Sequence, residues 1–385
     1  MPDPRWPGAR RVLAVRLDSL GDVLMTTPAL RALRDSVPGR EITLLTSSSG
    51  SRLAPLLPAV HDVITYDAPW MKASRGDATL VNDLAMIETL RSRSFDAAVI
   101  FTVFSQNPLP AATLAYYAAI PVRAAYCREN PYALLSDWIP DPEPTLGIRH
   151  EVERQLALVA ALGGSTRDDR MEMTVPAPAR RRALAALRRA GVDIHRPWLV
   201  MHAGASAASR RYPPEFFAAA GKRLALEYGF TIVLTGDASE RRMVDEVRAS
   251  IPGAISIAGA LDLGELAALI AEAPLLIVNN TGPSHIAAAV GTPVVCLYAL
   301  TNPQHTPWGV ASRVLSHPVP CANCFHSVCV EGHHDCLRRV HPDRVVEAAL
   351  DLYPGARSME ARGASPSNAA RKRSLRVVSS ASFLH

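Results

Sequence analysis

A chain of 385 residues is long enough for about two domains of 100 to 200 residues each. With 48% hydrophobic and 20% charged residues it has the composition of an ordinary globular protein, which excludes collagen-like, coiled-coil and wholly disordered chains. The formal net charge is +5, and all of it falls at the end, where Arg357, Arg362, Arg371, Lys372, Arg373 and Arg376 stand against Glu360. The body is therefore balanced, and no nucleic-acid partner is expected. Residues 354–385, rich in Ser, Ala and Arg without hydrophobic period, read as a disordered basic tail that is either solvated or weakly drawn to an anionic membrane surface.

The longest apolar stretches, Leu109 to Val122 and Ile286 to Leu300, fall short of the roughly 20 residues a membrane helix needs, and Thr and Pro interrupt both. The apolar run after Arg10 and Arg11 is broken by Arg16 and Asp18, so it makes no signal-peptide core. A cytoplasmic location is expected, peripheral contact with the inner membrane being compatible with it.

Along the chain, short β-branched or Leu-rich runs alternate with helical patterns, as parallel sheets with crossover helices require. Strands are predicted at Arg11 to Leu17, Glu41 to Thr46, Val63 to Tyr66 and Asp96 to Thr102, with helices at Thr26 to Val37, Asn82 to Arg91 and Pro110 to Ile120. Glu151 to Leu162 reads as an amphipathic helix and Ala179 to Ala190 as an Arg/Ala-rich one. Further strands are predicted at Trp198 to His202, Thr231 to Thr235, Ala254 to Ile257, Leu275 to Asn279 and Pro293 to Tyr298. The expected division is a first α/β domain at 1–173, a linker and connecting helix at 174–196, a second α/β domain at 197–353, and the tail.

In open α/β sheets ligands bind beyond the carboxyl ends of strands, so the turns there carry the chemistry. The first is Arg16 to Asp22, with one glycine and no GxGxxG, which speaks against a dinucleotide site. As plain structure Asp22 is a helix N-cap. The turn His202 to Pro213 is made of small residues, with Ser206, Arg210 and Arg211 able to serve phosphate oxygens, or else a loop of solvated arginines. The stretch Asn279 to Ala289 runs from a strand into a small-residue helix, and the unpaired N–H groups at its start suit a pyrophosphate near Thr281 and Gly282. His285, early in that helix, could donate to the same anion or be a packed core histidine. Glu240, just after the strand Thr231 to Thr235, could accept from ribose hydroxyls or simply favour a helix start. Cys321, Cys324, Cys329 and Cys336 can enclose a structural zinc, but they contain only one CxxC knuckle; reduced loop thiols and a redox pair are the other readings.

Together these stretches resemble family 9 glycosyltransferases, the lipopolysaccharide heptosyltransferases. The run Val12 to Leu24, continued by Thr27 to Leu30, is similar to the family's opening signature. Thr281-Gly282-Pro283-Ser284-His285 with Gly291 to Val295 resembles its second, and Arg210-Arg211-Tyr212-Pro213 lies between them. The resemblance implies a GT-B fold, two Rossmann-like parallel-sheet domains facing across a cleft. It implies an inverting transfer, with no metal needed, of heptose from a nucleotide-sugar donor, ADP-heptose, to an anionic glycolipid acceptor of the lipopolysaccharide inner core. In it Asp22 matches the proposed general base. Arg210, where the family usually carries Lys, joins Thr281, Gly282 and His285 around the diphosphate, with Arg211 and Ser206 of the same turn as further donor-binding candidates, and Glu240 matches the ribose contact. Asn280 replaces the family's usual Asp, which keeps hydrogen bonding and loses charge. That exchange leaves room for a different nucleotide sugar, and a non-catalytic GT-B protein binding nucleotide sugar or glycan is the further alternative. Ser19, Gly21, Gln106 and Arg123, near expected strand ends of the first domain, are candidates for acceptor contact.

Overall fold

The computed structural model describes residues 2–72 and 79–354. The expected tail, apart from Pro354, lies outside the described residues.

The first half builds β1 (Arg11–Arg16), α1 (Leu20–Asp35), β2 (Glu41–Thr46), α2 (Ser48–Ser51), β3 (Asp62–Thr65), α3 (Leu80–Ser92), β4 (Ala97–Ile100), α4 (Leu109–Tyr117), β5 (Val122–Cys127), β6 (Asp137–Pro140), α5 (Glu143–Leu146) and α6 (Glu151–Ala161). The second half follows α7 (Ala177–Arg189) with β7 (Trp198–His202), α8 (Pro214–Tyr228), β8 (Thr231–Thr235), α9 (Arg241–Ala249), β9 (Ile255–Ser256), α10 (Leu263–Glu272), β10 (Leu276–Asn279), α11 (Gly282–Val290), β11 (Val294–Leu297), β12 (Ser312–Leu315), α12 (Asp335–Arg338) and α13 (Pro342–Leu352).

Each half forms a six-stranded sheet, with orders β3-β2-β1-β4-β5-β6 and β12-β11-β10-β7-β8-β9, and every pairing is parallel. Read from the other edge, the second order repeats the first, strand for strand. Both are doubly wound, and each reverses direction beside its first strand, between β1 and β4 and between β7 and β10. At such a switch point the two connecting loops diverge and leave a crevice at the carboxyl ends of the strands. The central strands are buried on both faces, which accounts for the unbroken apolar runs Val12 to Val15 and Trp198 to Met201.

One helix begins earlier than its sequence suggests. α1 carries Pro28, which has no N–H to give the Leu24 carbonyl one turn back. The Thr27 hydroxyl donates to that carbonyl instead, at 2.7 Å, and Thr26 does the same for Asp22 at 2.8 Å, so the helix passes through the proline. The short strands β5, β6 and β12 were not expected.

The halves meet through α1, which packs on both α6 and α11, and one apolar cluster runs from Val12 and Leu30 through Ile286 to Val278. At this seam Gly21 of α1 faces His285 of α11 so closely that a Cβ on Gly21 would lie 2.7 Å from the imidazole Cδ2. Among the described residues no helix is long and apolar enough to cross a membrane.

Candidate active site

The two crevices open into one cavity of about 1120 Å³ between the sheets. From the first half, Asp18, Ser19, Gly21, Asp22 and Gln106 line it; from the second, Ser206, Arg210, Arg211, Glu240, Asn280, Thr281, Gly282, His285 and His305. Nearly every residue singled out in the sequence therefore reaches a single chamber.

Arg123 does not. It stands near the amino end of β5, away from the crevice, and its guanidinium is used up on the carbonyls of Ile120, Ala133 and Leu134. The expectation that it meets an acceptor is corrected by that geometry.

Asp22 is three residues into α1, so it is not the N-cap. Ser19 takes that position, and its N–H and Oγ both donate to Asp22 Oδ2, at 3.2 and 2.6 Å, in a capping-box arrangement. The other oxygen, Oδ1, faces a buried charge cluster. Arg16, wholly buried at the end of β1, lies 3.0 Å from Asp18, 3.3 Å from Asp22 and 2.9 Å from Glu151 at the start of α6. One guanidinium thus serves three carboxylates, and their pKa values separate. Burial pushes Asp18 up to about 6, and Arg16 only partly offsets it. Burial raises Glu151 to about 7 against the same counter-charge. Burial would also raise Asp22, but Arg16, His305, Ser19 and His285 together hold it down to about 2. Of the three acids Asp22 is the most firmly ionised at neutral pH, and it lines the cavity. Gln106 serves this cluster by donating to Asp18.

Across the cavity, Thr281 is the N-cap of α11, and Thr281, Gly282 and Pro283 line the cleft beside Asn280; Pro283 has no N–H and the Ser284 N–H donates back to the Thr281 carbonyl at 2.9 Å. Asn280 is nearly fully buried; its Oδ1 accepts from the Ala299 N–H at 3.2 Å while its Nδ2 has no partner. The Arg210 turn is held from beneath. Asn279 donates to the Ala203 carbonyl at 2.8 Å and accepts from the Tyr212 N–H at 3.0 Å, and the Tyr212 hydroxyl reaches the Val340 carbonyl at 2.7 Å. Arg211 donates to the Ala205 carbonyl and is partly committed to its own turn. Arg210 Nε is buried without a partner. Glu240 lies so close beneath Gly204 that a Cβ there would sit 2.0 Å from its carboxylate. Burial keeps His285 and His305 neutral, near 3 and 4 respectively.

The four cysteines of the 321–336 segment are free thiols, and among the described residues no three His, Cys, Asp or Glu side chains are brought together to hold a metal ion. The zinc reading is corrected to that extent. The segment instead braces the cavity walls: Ser209 binds the carbonyls of His326 and Ser327, and the N–H groups of Asn323 and Phe325 bind those of Leu300 and Thr301.

Sequence reasoning passed over Arg16 as a functional group, and missed Glu151 and His305. An arginine closing an otherwise apolar strand, Val12 to Val15, was the one available signal, because a charge there must be paired.

The sequence model of glycosyltransferase family 9 (heptosyltransferase) matches residues 84–334, well over half of the chain. Lipopolysaccharide heptosyltransferase 2 of Escherichia coli (strain K12) is 25% identical over 361 residues, which cover 88% of this chain and 97% of that protein. Lipopolysaccharide heptosyltransferase 1 of Pseudomonas aeruginosa is 26% identical over 352 residues, 87% and 96% of the two. Among solved structures, a family 9 glycosyl transferase from Veillonella parvula superimposes with a TM-score of 0.73 at 21% identity, over 89% of this chain and 97% of that one. The E. coli ADP-heptose heptosyltransferase II gives 0.69 at 23%, over 89% and 98%. With its two doubly wound sheets facing across a cleft in the GT-B manner, the chain is a glycosyltransferase and belongs to family 9.

Proposed function

We propose that this enzyme transfers heptose, with inversion and without a metal ion, from ADP-heptose to an anionic inner-core saccharide of lipopolysaccharide. The observation that carries the reading is Asp22, ionised, largely buried yet lining the chamber, with the N-terminus of α11 lining the same chamber. In this reading residues 1–173 hold the acceptor and 197–353 the donor, joined by 174–196, and Ser19, Gly21 and Gln106 line the acceptor side. Asp22 takes the proton of the acceptor hydroxyl, whose oxygen attacks the sugar C1 from the face opposite the nucleotide. The C1–O bond to the diphosphate breaks, and ADP leaves with the electron pair. A carboxylate of low pKa can do this because the hydroxyl becomes acidic as the new bond forms.

The leaving diphosphate gains charge, and the first turn of α11 at Thr281 and Gly282, together with Arg210, Arg211, Ser206 and His285, meets it with preformed donors; Glu240 takes the ribose hydroxyls. These groups supply the stabilisation a metal would otherwise give. Their approach to a glycolipid would bring the protein to the cytoplasmic face of the inner membrane. Asn280 favours a second reading of the donor. Its Nδ2 is a buried hydrogen-bond donor without a partner in the cavity wall, which suits a sugar that brings an acceptor atom against it.

Incubation with ADP-heptose and heptose-free lipopolysaccharide, read by ADP release, tests the proposal. Asp22→Asn should lower kcat by roughly 100-fold or more, the range general bases contribute. Undiminished turnover in that variant removes Asp22 as the base, and ADP release only with another nucleotide sugar assigns the donor to Asn280's alternative.

A further inference from the structure

His305 lies on the loop after β11, in the second half, yet its imidazole reaches Asp22 in the first: Nε2 is 3.7 Å from Asp22 Oδ1. That separation is too long for a hydrogen bond between them, and Nε2 is buried with no partner of its own. Both residues line the cavity.

The state of the imidazole follows from a chain of contacts. The Thr301 hydroxyl donates to Asn302 Oδ1 at 3.0 Å, which fixes the amide so that its Nδ2 lies toward the ring. That Nδ2 is 2.8 Å from His305 Nδ1, so Nδ1 is the acceptor and the proton of the neutral ring sits on Nε2. The loop itself is pinned. The Tyr298 hydroxyl donates to the Asn302 carbonyl at 2.6 Å and accepts from the His305 N–H at 3.2 Å. From the other half, the Glu151 N–H donates to the Gln304 carbonyl at 3.0 Å, and His150 Nε2 meets the Thr306 carbonyl at 2.9 Å.

Two opposed groups therefore flank one point: a carboxylate oxygen that accepts and an imidazole N–H that donates. An oxygen at about 2.7 Å from the first and about 2.9 Å from the second closes a triangle on the 3.7 Å gap. A hydroxyl fits that point and a carboxylate or phosphate does not, because Asp22 repels an anion. We propose that His305 is a catalytic residue which holds the acceptor hydroxyl: Nε2–H donates to one lone pair of the oxygen, the hydroxyl proton points at Asp22 Oδ1, and the second lone pair is left to attack C1. When the proton passes to Asp22, the ring stays protonated at Nε2 and meets the charge left on oxygen. Burial keeps the ring from becoming an imidazolium near neutral pH, so it does not compete with the substrate for the carboxylate's charge. The assignment rests on Asp22 as the base.

The test compares wild type, Asp22→Asn, His305→Phe and His305→Gln on ADP-heptose and heptose-free lipopolysaccharide, together with nitrogen–proton correlation spectra of the histidine side chains of the free protein, assigned by the signal His305→Phe loses. His305→Phe is expected to lower kcat/KM for the acceptor roughly 10- to 100-fold with the donor KM unchanged, and to lower the melting midpoint slightly because Asn302 Nδ2 loses its acceptor. Gln, whose amide can donate from a similar reach, should recover part of that loss. Wild-type acceptor kinetics in His305→Phe alongside an inactive Asp22→Asn overturns the role of His305 and spares the base. Full activity in Asp22→Asn overturns both. A spectrum with the His305 proton on Nδ1 overturns the assignment whatever sugar the enzyme transfers.

Discussion

Glu151→Gln offers a sharp test of the buried charge cluster. Glu151 is fully buried, 2.9 Å from Arg16, and its carboxyl titrates near pH 7 in the fold against 4.5 ordinarily. A raised carboxyl means the folded chain binds more protons than the unfolded one across that window, so its contribution is favourable below pH 4.5 and is lost as pH rises toward 7. At about 1.4 kcal/mol per pH unit the loss comes to about 3 kcal/mol. Gln keeps the shape and the hydrogen bond to Gln155 and cannot ionise. Relative to wild type, the variant should therefore gain about 3 kcal/mol between pH 5 and pH 8, or about 6 °C in melting midpoint at about 2 °C per kcal/mol for a chain of this size. Thermal melts by intrinsic fluorescence at low salt across that range measure it. A difference between the two proteins that stays constant with pH refutes the reasoning, because it places the ionisation of Glu151 elsewhere.

Gly21→Ala would set a Cβ 2.7 Å from the His285 ring, and about 1 to 3 kcal/mol of overpacking should appear as a lower melting midpoint, restored when His285 is also changed to Ala. No loss in the single variant means the α1–α11 seam yields easily. Arg210→Ala should raise the KM for ADP-heptose roughly 10- to 100-fold, the worth of a charge-assisted hydrogen bond to phosphate, and donor-dependence curves of ADP release read it directly. An unchanged KM takes Arg210 out of donor binding.

What could be read from the sequence was local. The turns after β1, β7 and β10 declare themselves through glycines, small residues and a helix pattern within about a dozen positions, and the cavity gathers those turns because both sheets reverse direction beside their first strand. Asp22 was marked, but its place in the helix was not, since Ser19 and Asp22 can each cap and only the backbone decides between them. Arg123 misled for a related reason. Without knowing that β5 starts at Val122, its proximity to a strand end says nothing about which end. Glu151 and His305 lay beyond reach: they are separated from Asp22 by most of a domain and by most of the chain, and only the packing of α6 on α1 and of the loop after β11 on α6 brings them in.

The acid's neighbours belong to different halves: Arg16 and Glu151 come from its own, while His285 and His305 come from the opposite one. Any hinge that parted the two sheets would draw the imidazoles off the carboxylate while leaving the guanidinium in place. Proton affinity at Asp22 is thereby tied to how far the jaws stand apart, and a gaping enzyme is chemically a different one from a shut enzyme, before any substrate has arrived.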